Sequence, residues 1–254
     1  MKESDSKTCV LSAVKAAIMI IEKGGTTSMA DKTFRSIISK CDVSDVSIMW
    51  RLDNLIVGYS VEGRTHTILL PVGGIGTELT GVSKVFELAE NVAKGKVDIL
   101  DVDSELDRIT KLPPIHSTWI IILTAGLAAA FYALFHHESI GSTAIVFIAA
   151  VTGQVLRMNL KAKKVKDAQI TLICGLLSAG ITSIALHLGF GQLEIQTLIA
   201  SVVYLVPGLL MINAFVDLTE QKFIFIGTQK IINASFIFII LALVILTAYT
   251  FIKI

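Results

Sequence analysis

Charge is what this 254-residue chain has least of. Asp, Glu, Lys and Arg make up 17% of it, against about 25% in an average soluble domain. The shortage is local: 30 of the first 116 positions are charged, but only 13 of the last 138. The first part reads as soluble material and the second does not. An excess of one sign is missing as well. A net charge of +1 with no strongly basic domain leaves nucleic-acid binding without support. Cysteine is scarce: Cys9, Cys41 and Cys174 share no metal-ligand spacing, and Cys174 lies in an apolar run. Neither a zinc site nor a disulfide scaffold is expected.

The apolar run at 9–21 raises the question of a secretory signal. Lys15 interrupts it, and Glu22-Lys23-Gly24-Gly25 follows where small cleavage-site residues belong, so the run is expected to stay on the mature protein. Val10, Leu11, Val14, Ala17, Ile18 and Ile21 recur at helical spacing and predict an amphipathic helix, ended by the glycine pair. Ser28 with Asp31 is the expected cap of a second helix carrying Met29, Phe34, Ile37 and Ile38. Val46, Ile48 and Trp50 then alternate with polar neighbours. With Leu55, Ile56, Val57 and Tyr59, and with residues 67–70, they predict three strands, the last two joined by a turn at Val61-Glu62-Gly63-Arg64. Helical spacing returns at 79–92 and at 104–111. The order ααβββαα describes an α+β domain over residues 1–113, of ordinary size for independent folding.

Gly73-Gly74-Ile75-Gly76 follows a strand and opens a helix, where phosphate-cradling loops sit. A Walker loop needs Gly-Lys-Ser/Thr at its end, whereas Gly81 precedes Val82-Ser83; a dinucleotide fingerprint needs glycine where Leu79 stands. A plain strand-to-helix turn is expected. His66 reads as a hairpin residue, not a base. The acidic stretch 98–107 reads as a solvated helix face and its cap, with cation or partner binding as the alternative.

In the second half, five apolar segments near 117–135, 140–156, 168–188, 195–216 and 231–252 have the ~17–25 residues a spanning helix needs. The predicted fold class is a membrane protein, mainly α, with five transmembrane helices over 114–254 preceded by the small α+β domain. Arg157, Lys161, Lys163, Lys164 and Lys166 crowd the connection after the second segment, and Lys222 and Lys230 the connection after the fourth. Residues 136–139 and 189–194 hold no Lys or Arg. The positive-inside rule then puts the amino-terminal domain in the cytoplasm of a multi-pass cell-membrane protein, with the carboxy terminus outside. Thr124-Ala125-Gly126 and Ala128-Ala129-Ala130 in the first segment are small enough for close helix approach. Gly175, Ser178, Ala179, Gly180, Thr182 and Ser183 in the third suit either a polar path or a packing face.

The fourth segment carries the chemistry. Pro207 has no N–H and removes a helical partner from the carbonyl of Val203; Gly208 adds freedom. A helix broken at mid-membrane exposes backbone groups that protein, water or a solute must satisfy, and transporters bind substrate at such breaks. Asn213 and Asp217, four apart, project from one face as polar partners, and Asp217 is also a candidate proton site.

The run Ala200-Ser201…Leu205-Val206-Pro207-Gly208…Ile212-Asn213-Ala214…Asp217 resembles the signature of the threonine/serine exporter family, in its amino-terminal-half, two-subunit form. Gly24-Gly25-Thr26-Thr27 and the stretch Leu79…Leu88-Ala89-Glu90 also match, although family members often have an acidic residue where this chain has Thr26. The resemblance implies export of threonine/serine-like amino acids or C4 dicarboxylates such as succinate, with a second small membrane subunit supplying the other half of a homo- or hetero-oligomer. It places Pro207, Gly208, Asn213, Asp217, Tyr204 and Ser201 at the transport site, and implies no catalytic residue, metal or cofactor. Two other functions compete. One is a regulatory or scaffold subunit with a ligand-sensing cytoplasmic domain. The other is an intramembrane hydrolase, for which Ser183 and His187, four apart, are the best nucleophile–base pair.

Overall fold

The structure, a computed structural model, describes residues 3–113, 115–191 and 194–252. Pro114 of the expected domain boundary and residues 192–193 of the expected loop 189–194 lie outside the described residues. The elements begin with α1 (Glu3–Glu22), α2 (Thr27–Ile38), β1 (Ser44–Trp50), β2 (Asn54–Val61), β3 (Arg64–Pro71), α3 (Leu79–Ala93) and α4 (Val102–Thr110). There follow α5 (Thr118–Phe135), α6 (Ile140–Ala162), α7 (Asp167–His187), α8 (Ile195–Val202), α9 (Gly208–Thr219) and α10 (Ile224–Ile252). They form two compact units. One is Met1–Pro114 with Gly208–Ile232; the other is Ile115–Pro207 with Asn233–Ile254.

The first unit holds the ααβββαα order. Its sheet is antiparallel in the order β1-β2-β3, with Val57 opposite both Ile48 and Ile68. The central strand is the most buried, with Leu55, Val57 and Tyr59 turned to the core. The first helix departs from the amphipathic expectation. Ala13, Val14, Ala16, Ala17 and Ile20 are all fully buried, so several sides of α1 are covered, by α2, α3, α4 and β2. Lys15 stays outside and pairs with Asp103 at 2.7 Å. Cys9 and Cys41 form a disulfide, contrary to the reading from spacing: α1 and α2 run back to back, which brings residues 32 apart together.

The glycine pair closes α1 as expected. Gly24 sits at φ +95°; its N–H donates to Ile21 O and that of Gly25 to Ile20 O, the paired bonds of a Schellman end. The cap of α2 is Thr26, not Ser28: the Thr26 side chain accepts from Met29 N–H. Asp31 instead faces Arg35 and Lys222, each at 2.7 Å. The loop 73–76 is docked on the end of α1. Gly73 N–H donates to Glu22 Oε1 at 2.6 Å and Gly76 N–H to Glu22 O. Two of the loop's four amides are thus occupied by the protein's own carboxylate and carbonyl.

The second unit contains α5 to α8, and the remainder of α10 belongs to it. Among the described residues four segments are long and apolar enough to cross a membrane: Thr118–Phe135, Ile140–Ala162, Asp167–His187 and Gln221–Phe251. A broken pair makes a fifth if counted as one span. Three boundaries differ from expectation. α6 runs on to Ala162, so Arg157 and Lys161 are helical and the basic connection shrinks to 163–166. α10 begins at Ile224, not 231, which turns Lys230 from a loop residue into a buried helical one. The expected helix 195–216 is two pieces, each about 18 Å long at 1.5–2 Å per residue, and neither alone spans a ~30 Å core. Small residues serve close packing: a Cβ on Gly126 would meet Phe147 at 2.9 Å, and one on Gly153 would collide with the Tyr204 and Ser178 side chains.

Gly24→Ala tests how tightly the α1 end is built. Besides the positive φ, its Cβ would lie 2.6 Å from Gly76 O. The variant is expected to lose about 1–3 kcal/mol of stability, read as a lower thermal midpoint in detergent. An unchanged midpoint would contradict the docked loop.

Candidate functional site

The break in the fourth apolar segment is built by proline chemistry and repaired locally. α8 passes into a 3-10 turn over Val203–Leu205, and Val206 is extended at φ −61°, ψ 130°. Val203 O, which loses its helical partner to Pro207, accepts the N–H of Val206 at 3.1 Å. Tyr204 O, which a continuous helix would pair with Gly208 N–H, accepts instead from the Arg157 guanidinium at 2.9 Å. A cation at the carbonyl end of a short helix also complements its dipole. The Tyr204 hydroxyl lies 3.0 Å from Ser178 Oγ, which donates to Ala149 O. Ser201 turns its hydroxyl back to Leu198 O. Pro207, Tyr204 and Ser201 thus belong to the second unit, Gly208, Asn213 and Asp217 to the first.

In the first unit, Asn213 and Asp217 do share one face of α9, and both are buried. Asn213 Nδ2 donates to the carbonyls of Gly24 (2.9 Å) and Gly25 (3.3 Å). Thr27 donates its backbone N–H to Asp217 Oδ1 at 3.2 Å and its hydroxyl to Oδ2 at 2.7 Å. Lys230 Nζ completes the node, 2.6 Å from Asp217 Oδ2 and 3.1 Å from Thr27 Oγ1. Asp217 and Lys230 are each 1% exposed. The Gly24-Gly25-Thr26-Thr27 turn and the Asn213/Asp217 pair, separate motifs in the sequence, are thereby one constellation.

Local sequence explains the node. α9 ends at Thr219, and a 3-10 turn at Gln221–Phe223 reverses the chain into α10. Phe223 is buried against Trp50, ring centroids 6.4 Å apart and edge to face. Gln229 accepts the N–H of Leu52 at 3.0 Å. Gly227 lets the two helices close: a Cβ there would lie 3.1 Å from Leu218. Lys230 then faces Asp217. Sequence reasoning missed Lys230 and Thr27. One signal was available: Lys230 is the only charged residue in the apolar stretch 223–252, and a lone charge there needs a partner, for which the lone acid of the preceding segment is the nearest candidate.

The remaining candidates are placed as follows. Ser183 donates to Ala248 O at 3.1 Å, an inter-helix tie in place of a bond to His187. The acidic stretch is distributed: Asp98 caps Leu100 N–H, Asp103 takes Lys15 and Ser12, and Glu105 pairs with Arg108. His66 stacks on Tyr59 with centroids 5.5 Å apart. A cleft of about 380 Å³ in the first unit is lined by Lys15, Glu22, Leu70, Asp103 and Asp107 among others. Among the described residues no group of His, Cys, Asp and Glu suits a metal ion.

Over residues 12–252 the chain matches the family described as "Putative threonine/serine exporter". It is similar to the probable succinate transporter subunit YjjP of Klebsiella aerogenes, 18% identical over 217 residues that cover 85% of this chain and 83% of that protein. No solved structure matches.

The buried pair has a thermodynamic signature. Lys230→Met or Asp217→Leu alone leaves one charge buried and is expected to cost about 3–5 kcal/mol. The double variant removes both charges and should recover most of that loss. Thermal midpoints of the purified variants measure it, and additive losses in the double variant would show that the two groups are not coupled.

Proposed function

Because the chain belongs to the threonine/serine exporter family, we propose that it is one subunit of a secondary exporter of small polar metabolites, acting with a second small membrane subunit. The family's description and the word "subunit" in the relative's name support this reading. The solute site in this proposal is the node of Asn213, Asp217 and Lys230, next in the chain to the Pro207-Gly208 break. Tyr204 and Ser201 are spent on partners within their own unit, so the proposal does not route solute through them.

The observation that carries the reading is what the node already holds. Thr27 presents an N–H and a β-hydroxyl to one carboxylate, with the hydroxyl also receiving a proton of Lys230. A free threonine or serine carries an ammonium and a β-hydroxyl on adjacent carbons, as Thr27 carries its amide and hydroxyl. Its ammonium and hydroxyl would replace those of Thr27 on Asp217, and its carboxylate would take Lys230. Exchange of this kind keeps both buried charges neutralised, which a carrier needs if binding is not to strand a charge. A C4 dicarboxylate, the second substrate class, is favoured by the relative's name and would use Lys230 alone.

For topology, the proposal keeps the amino terminus in the cytoplasm and the carboxy terminus outside, counting the broken pair as one span. Lys163, Lys164 and Lys166 between α6 and α7 support it, against no Lys or Arg in residues 136–139. The competing reading, a regulatory or scaffold subunit, draws on the cleft in the first unit and predicts that the node is dispensable for flux.

Efflux from cells or liposomes holding the chain with its companion subunit separates these. Preloaded threonine and serine are expected to leave faster than succinate. The charge-free double variant Asp217→Leu, Lys230→Met is expected to fold yet lose at least about 90% of threonine efflux. Wild-type flux from that variant would remove the node from transport, and full flux from this chain alone would remove the companion.

A further inference from the structure

The α5–α6 connection buries a carboxylate. Glu138 is 6% exposed, and among the described residues neither of its carboxylate oxygens has a hydrogen-bond partner. Buried polar groups are rarely left so, and an unpaired buried carboxylate is among the costliest of them. It does not stand alone. Among the described residues, Thr143 Oγ1 and Thr197 Oγ1 are also buried and unpartnered.

Helix geometry places these three residues at one end of one bundle. Ala133, Val146 and Ala200, from α5, α6 and α8, belong to a single packed cluster. Glu138 donates its backbone N–H to Ala133 O. Thr143 precedes Val146 by three residues and Thr197 precedes Ala200 by three, so each lies on its helix's cluster-facing side, one turn toward the helix start. α5 ends where α6 and α8 begin. The three residues therefore fall at the same end of the cluster, where the α5–α6 connection lies.

We propose that Glu138, Thr143 and Thr197 form a binding site for a monovalent inorganic cation of sodium size. The ligands are all oxygen, which selects hard ions over zinc or copper, and the single carboxylate matches a single positive charge. One such ion would balance the charge of Glu138 and take up a lone pair of each of the two threonine hydroxyls. Thr197 precedes Pro207 by ten residues, about 15 Å along a helix, so the site is distinct from the break. Its use as the coupling site of an exporter rests on the transport reading above; its occupancy does not, and is tested without transport.

The full chain, purified in detergent, is heated in sodium chloride and in choline chloride at equal ionic strength and fixed pH. The thermal midpoint is expected to rise with sodium and not with choline. Glu138→Gln should abolish the rise. Thr143→Val and Thr197→Val, which keep side-chain shape, should each raise the half-saturating sodium concentration about tenfold or more. The proposal is overturned if sodium and choline act alike, if Glu138→Gln and Thr197→Val respond as the wild type does, or if acidification in choline reproduces the whole rise.

Discussion

One buried node, the ion pair of Asp217 with Lys230 and the Thr27 bound to both, joins stretches of chain nearly two hundred residues apart into a single unit. Taking two ions out of water costs several kcal/mol each, and their attraction offsets this only when the remaining hydrogen-bonding capacity is met. Here it is largely met. Asp217 receives the N–H and hydroxyl of Thr27 besides the ammonium, and Asn213 four residues earlier covers the Gly24 and Gly25 carbonyls that the end of α1 leaves free. Every donor in the node has its acceptor in the turn between α1 and α2 or in the α9–α10 hairpin. Moving one of these segments by a single residue would strand a charge. The pair therefore sets register more than it adds stability.

The second unit solves a related problem without a complete ion pair. Pro207 ends a helix inside an apolar segment, and the carbonyls it releases need partners from the protein. Val203 O is recovered by tightening the last turn to 3-10 geometry, and Tyr204 O by a guanidinium from α6. Arg157 thereby has a reason to be helical and half-buried. The same residue, read from sequence, was only a count toward the positive-inside rule. Its charge serves a backbone break, so the topological argument rests more firmly on Lys163, Lys164 and Lys166 in the short connection that follows.

What the sequence disclosed and what it hid divide along a physical line. Period and punctuation were legible: the three strands, the Schellman end at Gly24-Gly25, four apolar helices and the break at Pro207 all follow from local chemistry. So did the face shared by Asn213 and Asp217. Long-range pairing was not. Nothing local says that Cys9 meets Cys41, that Glu22 fills the amides of the glycine loop, or that Thr26 caps α2 in place of Ser28. A charge ahead of an apolar run reads as a boundary, so local sequence puts Lys230 in a loop; its partner Asp217, inside the fold, is what lets it lie buried on a helix. α1 misled in the same way. Its buried sides outnumber one because the sheet and three helices surround it, a tertiary fact that periodicity alone does not carry.

An apolar node of the same shape would hold the two segments together at lower desolvation cost, so the retained charges need a reason beyond stability. Thr27 supplies one. It is a residue with the functional groups of a hydroxy amino acid, clasped by an acid and an ammonium that are both otherwise buried. Such a clasp is self-satisfied when the turn is docked and needs an equivalent ligand when it is not. A ligand lacking the ammonium would leave Asp217 uncompensated, and one lacking the carboxylate would do the same to Lys230. On the transport reading proposed above, discrimination would arise from the cost of an unpaired buried charge, which is far larger than that of a missing methyl contact.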